Sequence, residues 1–150
     1  MNCDSIAGRS VQDSPTTKGP AMGRMIFPNL PVKDLPATVA FWTGLGFEFN
    51  QQFSNDDAAC MVINEQASVM LLQQDFFHGF HDTEPHTGTE AMICLSAESR
   101  EDVDDLCAKA SAAGATDVGD KVDQPPMYGG SFRDLDGHIW EVLWMDLPAA

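Results

Sequence analysis

The stretch Asp34-Leu-Pro-Ala-Thr-Val-Ala-Phe-Trp-Thr-Gly-Leu-Gly46 holds a complete helix with its own start and stop signals. Asp34 is a good N-cap, because its short carboxylate can accept from a backbone N–H left free in the first turn. Pro36 falls in that turn, where a missing N–H does no harm. Leu35, Val39, Trp42 and Leu45 recur at helical spacing and make one apolar stripe. Gly44 and Gly46 stop the helix. The next N-cap, Ser99, lies 65 residues after Asp34 and opens the same pattern again. Ser99-x-x-Asp102 is a capping box with Asp in place of Glu. Val103, Leu106, Cys107, Ala110 and Ala113 form its apolar stripe, and Gly114 ends it.

Outward from each helix, one extended run precedes it and three follow. Met25 to Val32 is extended, and Pro28 and Pro31 suit an edge or a bulge better than a central ladder position. Phe47 to Phe53, Ala58 to Ile63 and Ser68 to Leu72 read as strands, separated by turns at Asn55-Asp56-Asp57 and Asn64-Glu65-Gln66. In the second half the strands are Glu90 to Leu95, Thr116 to Val122, Tyr128 to Arg133 and Ile139 to Met145. Asp134-Leu-Asp-Gly137 turns the chain between the last two. The order strand, helix, three strands therefore occurs twice. It predicts an α+β fold of two βαβββ modules, residues 25–74 and 90–145, joined by a loop over 75–89 within a single domain, 25–145. Trp140, Val142 and Trp144 alternate with Ile139, Leu143 and Met145, so the last strand is apolar on both faces and both need cover. A helix takes one face, leaving the other for a cavity or a partner subunit.

Residues 1–24 are rich in Ser, Gly, Thr, Pro and Asp without periodicity, and read as a disordered tail. Met22 and Met25 are alternative start positions, which would put the tail outside the natural protein. Cys3, Cys60, Cys94 and Cys107 are widely spread, with no C-x-x-C pair. That usage fits reduced thiols and a cytoplasmic location. No apolar run approaches the ~20 residues that span a bilayer, and residues 1–24 lack the apolar stretch of a secretory signal. The formal net charge is −15. All of it lies beyond residue 24, where 21 acids face 5 bases. Such a surface repels phosphate backbones and disfavours nucleic acid as a partner. It also disfavours a strongly anionic substrate, unless Arg133 or Lys121 supplies a local positive site.

Three pieces carry a family likeness: Leu30-Pro-Val-Lys-Asp34, Phe41-Trp-Thr-Gly-Leu-Gly-Phe47 and Phe132-Arg-Asp-Leu-Asp-Gly-His-Ile-Trp-Glu141. In order and spacing they resemble the vicinal-oxygen-chelate superfamily of glyoxalases, bleomycin-resistance proteins and extradiol dioxygenases, over Met25 to Met145. The resemblance implies a curved mixed sheet around a cavity, with helices on the outer face, and a homodimer. For the metal enzymes of that family it implies a divalent ion such as Zn, Ni, Fe or Mn, held by His, Glu or Gln from four strands. Placed by motif, those positions fall at Phe27, near Leu71, at Met92 and at Glu141. Only Glu141 has ligand chemistry, and catalytic metal sites normally use about three protein ligands. The expectation is therefore a family member without the metal site and without a cofactor, with a divalent metal as the alternative. Asn29 and Cys94 lie two residues beyond Phe27 and Met92 on the same faces, where they either converge on Glu141 or serve backbone hydrogen bonding and packing.

Two roles stay open for Glu141. Its neighbours Ile139 and Leu143 are apolar, which disfavours the charged form and suits a general acid or base; alternatively it is salt-bridged to Arg133 or held by a Tyr or Asn. Tyr128 faces the cavity or belongs to a stiff turn around Gly129-Gly130. Arg133 can grip a carboxylate ligand in bidentate fashion. His138 reads as a surface or supporting residue. His78, His81 and His86 crowd the connecting loop; His78-x-x-His81 can take an adventitious transition metal, but two nearby histidines do not make a native site without a third ligand and supporting hydrogen bonds. Phe76, Phe77 and Phe80 are expected to cover the cavity mouth or a dimer seam. Three functions follow: a metal-independent protein binding a small, mostly apolar ligand; a metal-dependent lyase of lactoylglutathione-lyase type or a related dioxygenase; and a dimer that sequesters an antibiotic.

Overall fold

The computed structural model describes residues 23–81 and 88–148. Module one runs β1 (Asn29–Val32), α1 (Leu35–Gly44), β2 (Glu48–Phe49), a 3-10 turn (Gln51–Phe53), β3 (Ala58–Asn64) and β4 (Ala67–Gln73). A short helix α2 (Gln74–His78) opens the connection. Module two runs β5 (Met92–Ser96), α3 (Arg100–Ala112), β6 (Val122–Gln124), β7 (Met127–Arg133) and β8 (Ile139–Met145). Each module forms a four-stranded mixed sheet, in the orders β1-β4-β3-β2 and β5-β8-β7-β6. The first strand of each is parallel to the last, and the other pairings are antiparallel. The two-module α+β expectation holds, as two sheets rather than one continuous one.

The caps act as their residue types dictate. The Asp34 carboxylate accepts from the Ala37 N–H at 3.0 Å, and Ser99 Oγ from the Asp102 N–H at 3.0 Å. Asp102 reaches back to accept from the Glu98 N–H at 3.0 Å, one residue before the cap, so the return bond of the expected box is shifted by one position. Gly46 and Gly114 end the two helices with φ of +98° and +106°, a region that residues with a Cβ disfavour.

Helix α1 is shared between the modules. Its residues Leu35 and Thr38 are buried, and the Thr38 hydroxyl donates to Asp136 of module two at 3.4 Å. Phe41 and Trp42 reach across to module two: the Trp42 ring centroid lies 4.4 Å from Trp140 and 6.1 Å from Phe132, and Phe41 lies 6.4 Å from Phe132. One apolar core therefore spans both sheets. Helix α3 packs on β7 and β8 of the second sheet, and α1 packs on β3 and β4 of the first while sending Phe41 and Trp42 across to module two.

The Asp134–Gly137 turn completes the joint. Buried Asp134 accepts from the Trp140 Nε1–H at 2.9 Å and from the N–H groups of Asp136 and His138 at 2.9 and 3.0 Å. Asp136 Oδ1 accepts from the Lys33 N–H at 2.8 Å, and His138 Nε2 lies 2.7 Å from the Pro31 carbonyl oxygen. A turn of module two is thus clipped onto the β1–α1 corner of module one.

Several boundaries differ from expectation for local reasons. The run Phe47 to Phe53 pairs only at Glu48 and Phe49, because the Asn50 side chain accepts from the Gln52 N–H and starts the 3-10 turn. Thr116 makes an isolated bridge to Arg133, and the ladder proper begins later, at Val122. The first strand is short, with Ile26 bridged separately to Ala67 and Pro28 between. Part of the expected 75–89 loop is the helix α2. Residues 1–22 of the expected tail, Cys3 among them, lie outside the described residues.

Candidate functional site

Strand register decides which side chains share a face. On β4, Leu71 stands level with Leu30 and Ala59, and it is fully buried beneath α1. The neighbouring Met70 points the other way, level with Asn29 on β1 and Cys60 on β3. Phe27 and Ser68 share that second face. A pocket of about 680 Å3 opens there. Met25, Phe27, Phe53, Cys60 and Met70 give it an apolar lining, and Asn50, Gln52, Ser54, Asn55 and Ser68 a neutral polar one. Its rim is held in shape by local hydrogen bonds. Ser54 Oγ donates to the Asn50 carbonyl at 2.7 Å and accepts from the Cys60 N–H at 3.0 Å. Asn55 Oδ1 accepts from the N–H groups of Asp57 and Ala58 at 2.8 and 3.0 Å. No Asp, Glu, Lys, Arg or His lines the pocket.

The corresponding face of the second sheet carries Met92 and Cys94 from β5, Ser131 from β7, and Ile139, Glu141 and Leu143 from β8. Glu141 sits between Cys94 on one neighbouring strand and Ser131 on the other. Its carboxylate has no hydrogen-bond or ion-pair partner among the described residues. Burial, and then the adjacent Glu141 charge, push the Cys94 thiol up from its ordinary value, so it stays protonated at neutral pH. A half-buried carboxylate between a neutral thiol and a hydroxyl can accept a hydrogen bond or a proton, or attract a cation.

The sequence-derived positions thus separate. Phe27 lines the sheet-one pocket, whereas Met92, Cys94 and Glu141 share the open face of sheet two. Asn29 shares the face of Phe27 and spends its amide on the Phe27 carbonyl at 2.7 Å. Leu71 belongs to the core, and Met70, one residue earlier, takes the place assigned to it. Tyr128 lies level with Trp144, hence on the helix side. Its hydroxyl donates to Asp104 of α3 at 2.7 Å, and the Arg100 guanidinium covers its ring at 4.6 Å. That corrects its assignment to a cavity. Arg133 has the parity of Glu141 but is held at the strand end, donating from Nε to Asp117 at 2.9 Å and from Nη1 to the Gly137 carbonyl at 3.0 Å. Phe76 and Phe80 pack edge to face at 5.1 Å, and neither they nor Phe77 line the pocket. His78 and His81 lie with ring centroids 6.1 Å apart, and His86 is outside the described residues. Met70, Cys60 and the Asn50–Asn55 corner were missed in the sequence. The period-two alternation of β3 and β4 was the signal that would have found the first two.

The donor set does not fit the divalent metal of the metal-dependent relatives. The four positions hold Phe27, Met70, Met92 and Glu141, a single hard donor among them. Among the described residues no group of three His, Cys, Asp or Glu side chains is placed to hold an ion.

A family model described as the glyoxalase/bleomycin resistance protein/dioxygenase superfamily matches residues 24–142. A hypothetical protein from S. aureus is 30% identical, with 84% of this chain and 95% of that one covered at a TM-score of 0.70. A glyoxalase-related enzyme from Fulvimarina pelagi is 19% identical, with 85% and 92% covered at 0.73. A lactoylglutathione lyase from Agrobacterium tumefaciens is 20% identical, with 84% and 96% covered at 0.62. The last two likenesses concern the fold alone. No match is found among curated proteins.

Proposed function

The chain belongs to the glyoxalase/bleomycin resistance protein/dioxygenase superfamily, and from that premise we propose that it binds a small, mostly apolar ligand on its open sheet faces without a divalent metal or other cofactor. The observation that carries this reading is the lining itself. Where metal-dependent relatives place hard ligands, this chain places Phe27, Met70 and Met92, beside a pocket of about 680 Å3 without an ionised carboxylate or a basic side chain. Apolar walls with a few directed polar groups are what a small-molecule site uses for affinity and orientation. The ligand is neutral or cationic, since Glu141 is the one charge at the centre of the second face and Arg133 is engaged elsewhere.

The working unit in this proposal is a homodimer. Phe27 and Phe53 are exposed on one open face, Met92 and Met145 on the other. The outer edges of β1 and β5 carry no strand partner among the described residues. A second copy that sets sheet one against sheet two covers all four side chains and encloses the ligand. Free Cys60, Cys94 and Cys107 fit the reducing cytoplasm, and among the described residues no helix is long and apolar enough to cross a membrane.

Sequestration of a cationic antibiotic is a second reading, favoured by the net charge of −15 and by Glu141. A lyase acting on a glutathione conjugate is disfavoured, because its carboxylates find no cation in the pocket. Titration with the neutral dye Nile red tests the main reading. Saturable emission that survives EDTA and is lost in Met70→Asp supports it. Binding that requires added Ni or Zn overturns it, and a bleomycin titration separates the second reading from the first.

A further inference from the structure

A second depression, about 910 Å3, lies on the opposite face of sheet one, between α1 and the β2–β3 corner. Its existence follows from the sharing of α1. Because Phe41 and Trp42 are drawn across to Phe132 and Trp140, the helix leaves the outer part of its own sheet uncovered. Phe49 of β2 and Ala59 of β3 form the floor, and Leu35, Val39 and Ala40 the helix wall.

The second module shows what closes such a gap. Aligned on their N-caps, Leu35 and Val39 of α1 correspond to Arg100 and Asp104 of α3. Arg100 donates twice to Asp123 on the edge strand β6, at 2.7 Å each, and lies over the rings of Tyr128 and Trp144. Asp104 accepts from Tyr128 and pairs with Lys121. Module one has neither bridge. α1 contains no charged residue at all, in a chain of net charge −15.

We propose that this cleft, which meets the open-face pocket only at Ser54 and Asn55, is a second binding site for an amphiphilic cation: an alkyl or aryl body along Leu35, Val39, Ala40, Phe49 and Ala59, with its ammonium group at Asp56. Asp56 is the one ionised side chain in the lining, and it has no ion-pair partner among the described residues. No Lys or Arg lines the cleft, so an anionic head is repelled by Asp56 and compensated by no cation. The inference does not depend on the proposed function of the other face.

n-Octylammonium, 1-octanol and octanoate, titrated separately into the 15N-labelled full chain, test it. The expected result is amide shifts at Val39, Ala40, Phe49 and Asp56, with octylammonium binding about threefold or more tighter than octanol, as one exposed charge pair provides. Octanoate is expected to be weakest. Asp56→Asn, an exposed change, erases the difference between octylammonium and octanol, and Ala40→Trp blocks all three. Shifts confined to Phe27 and Met70, equal binding of octanoate, or no saturation by any of the probes overturns the proposal. So does a self-association, seen by sedimentation, that occludes these same residues.

Discussion

Replacing Asp134 with Asn changes one oxygen for one NH2 at the joint between the modules. Oδ1 keeps its two backbone donors, Asp136 N–H and His138 N–H. The new Nδ2 then faces the Trp140 Nε1–H, where Oδ2 accepted at 2.9 Å. One hydrogen bond is lost and two buried donors confront each other at a residue that is 4% exposed. Leaving a buried donor unsatisfied costs about 1–3 kcal/mol; the variant is relieved of burying a charge, so the net loss at neutral pH is expected at the low end of that range, about 1 kcal/mol. The pH dependence has a defined sign. Burial pushes the Asp134 carboxyl up, outweighing the hydrogen bonds from Trp140, Asp136 and His138 and the attraction of His138 that favour the anion. The folded chain therefore holds this proton more tightly than the unfolded one. The associated stability is fully present below the unfolded carboxylate value of about 3.9 and fades as pH rises through the higher folded value. The variant lacks that component, so its deficit is largest in acid and shrinks toward neutral pH. Urea denaturation of both proteins at a series of pH values, followed by far-UV circular dichroism and tryptophan emission, measures it. A deficit that grows with pH, or an Asn variant as stable as the parent throughout, refutes the reasoning.

Other substitutions probe packing and the second face. Gly130→Ala puts a Cβ 2.8 Å from Cys107 Sγ and 3.1 Å from the Lys121 side chain; a loss of about 1–3 kcal/mol in denaturant titration is expected for such overpacking. Phe132→Ala empties the space between Phe41, Trp42 and Trp140 and should cost about 3–5 kcal/mol by the same measurement. Glu141→Gln removes the charge that helps to hold the Cys94 thiol up, so alkylation of Cys94 by iodoacetamide, read by mass spectrometry, is expected to quicken at neutral pH. An unchanged rate would show that burial alone sets the reactivity of Cys94.

Much of the fold was legible because its punctuation is local. Asp34, Ser99, Gly46 and Gly114 act through their nearest backbone neighbours, and both helices are where those residues put them. Side-chain parity was less legible. Leu71 and Met70 are both apolar, and composition alone does not tell which faces α1; only the pairing with Ala59 and Cys60 decides. Tyr128 had the look of a cavity residue beside two glycines, but its orientation depends on Asp104 and Arg100, which lie on another element. The sharing of α1 between two sheets could not be read locally at all. Phe41 looked like a motif residue, yet its partner Phe132 lies 91 positions along the chain.

Metal content of the natural protein, purified without chelators and measured by inductively coupled plasma mass spectrometry, bears most directly on a ligand site built from Phe27, Met70, Met92 and Glu141. Zn, Ni, Fe and Mn are each expected far below one equivalent per chain, with Nile red binding unchanged by EDTA. A tightly held, stoichiometric metal whose removal abolishes ligand binding would contradict the account.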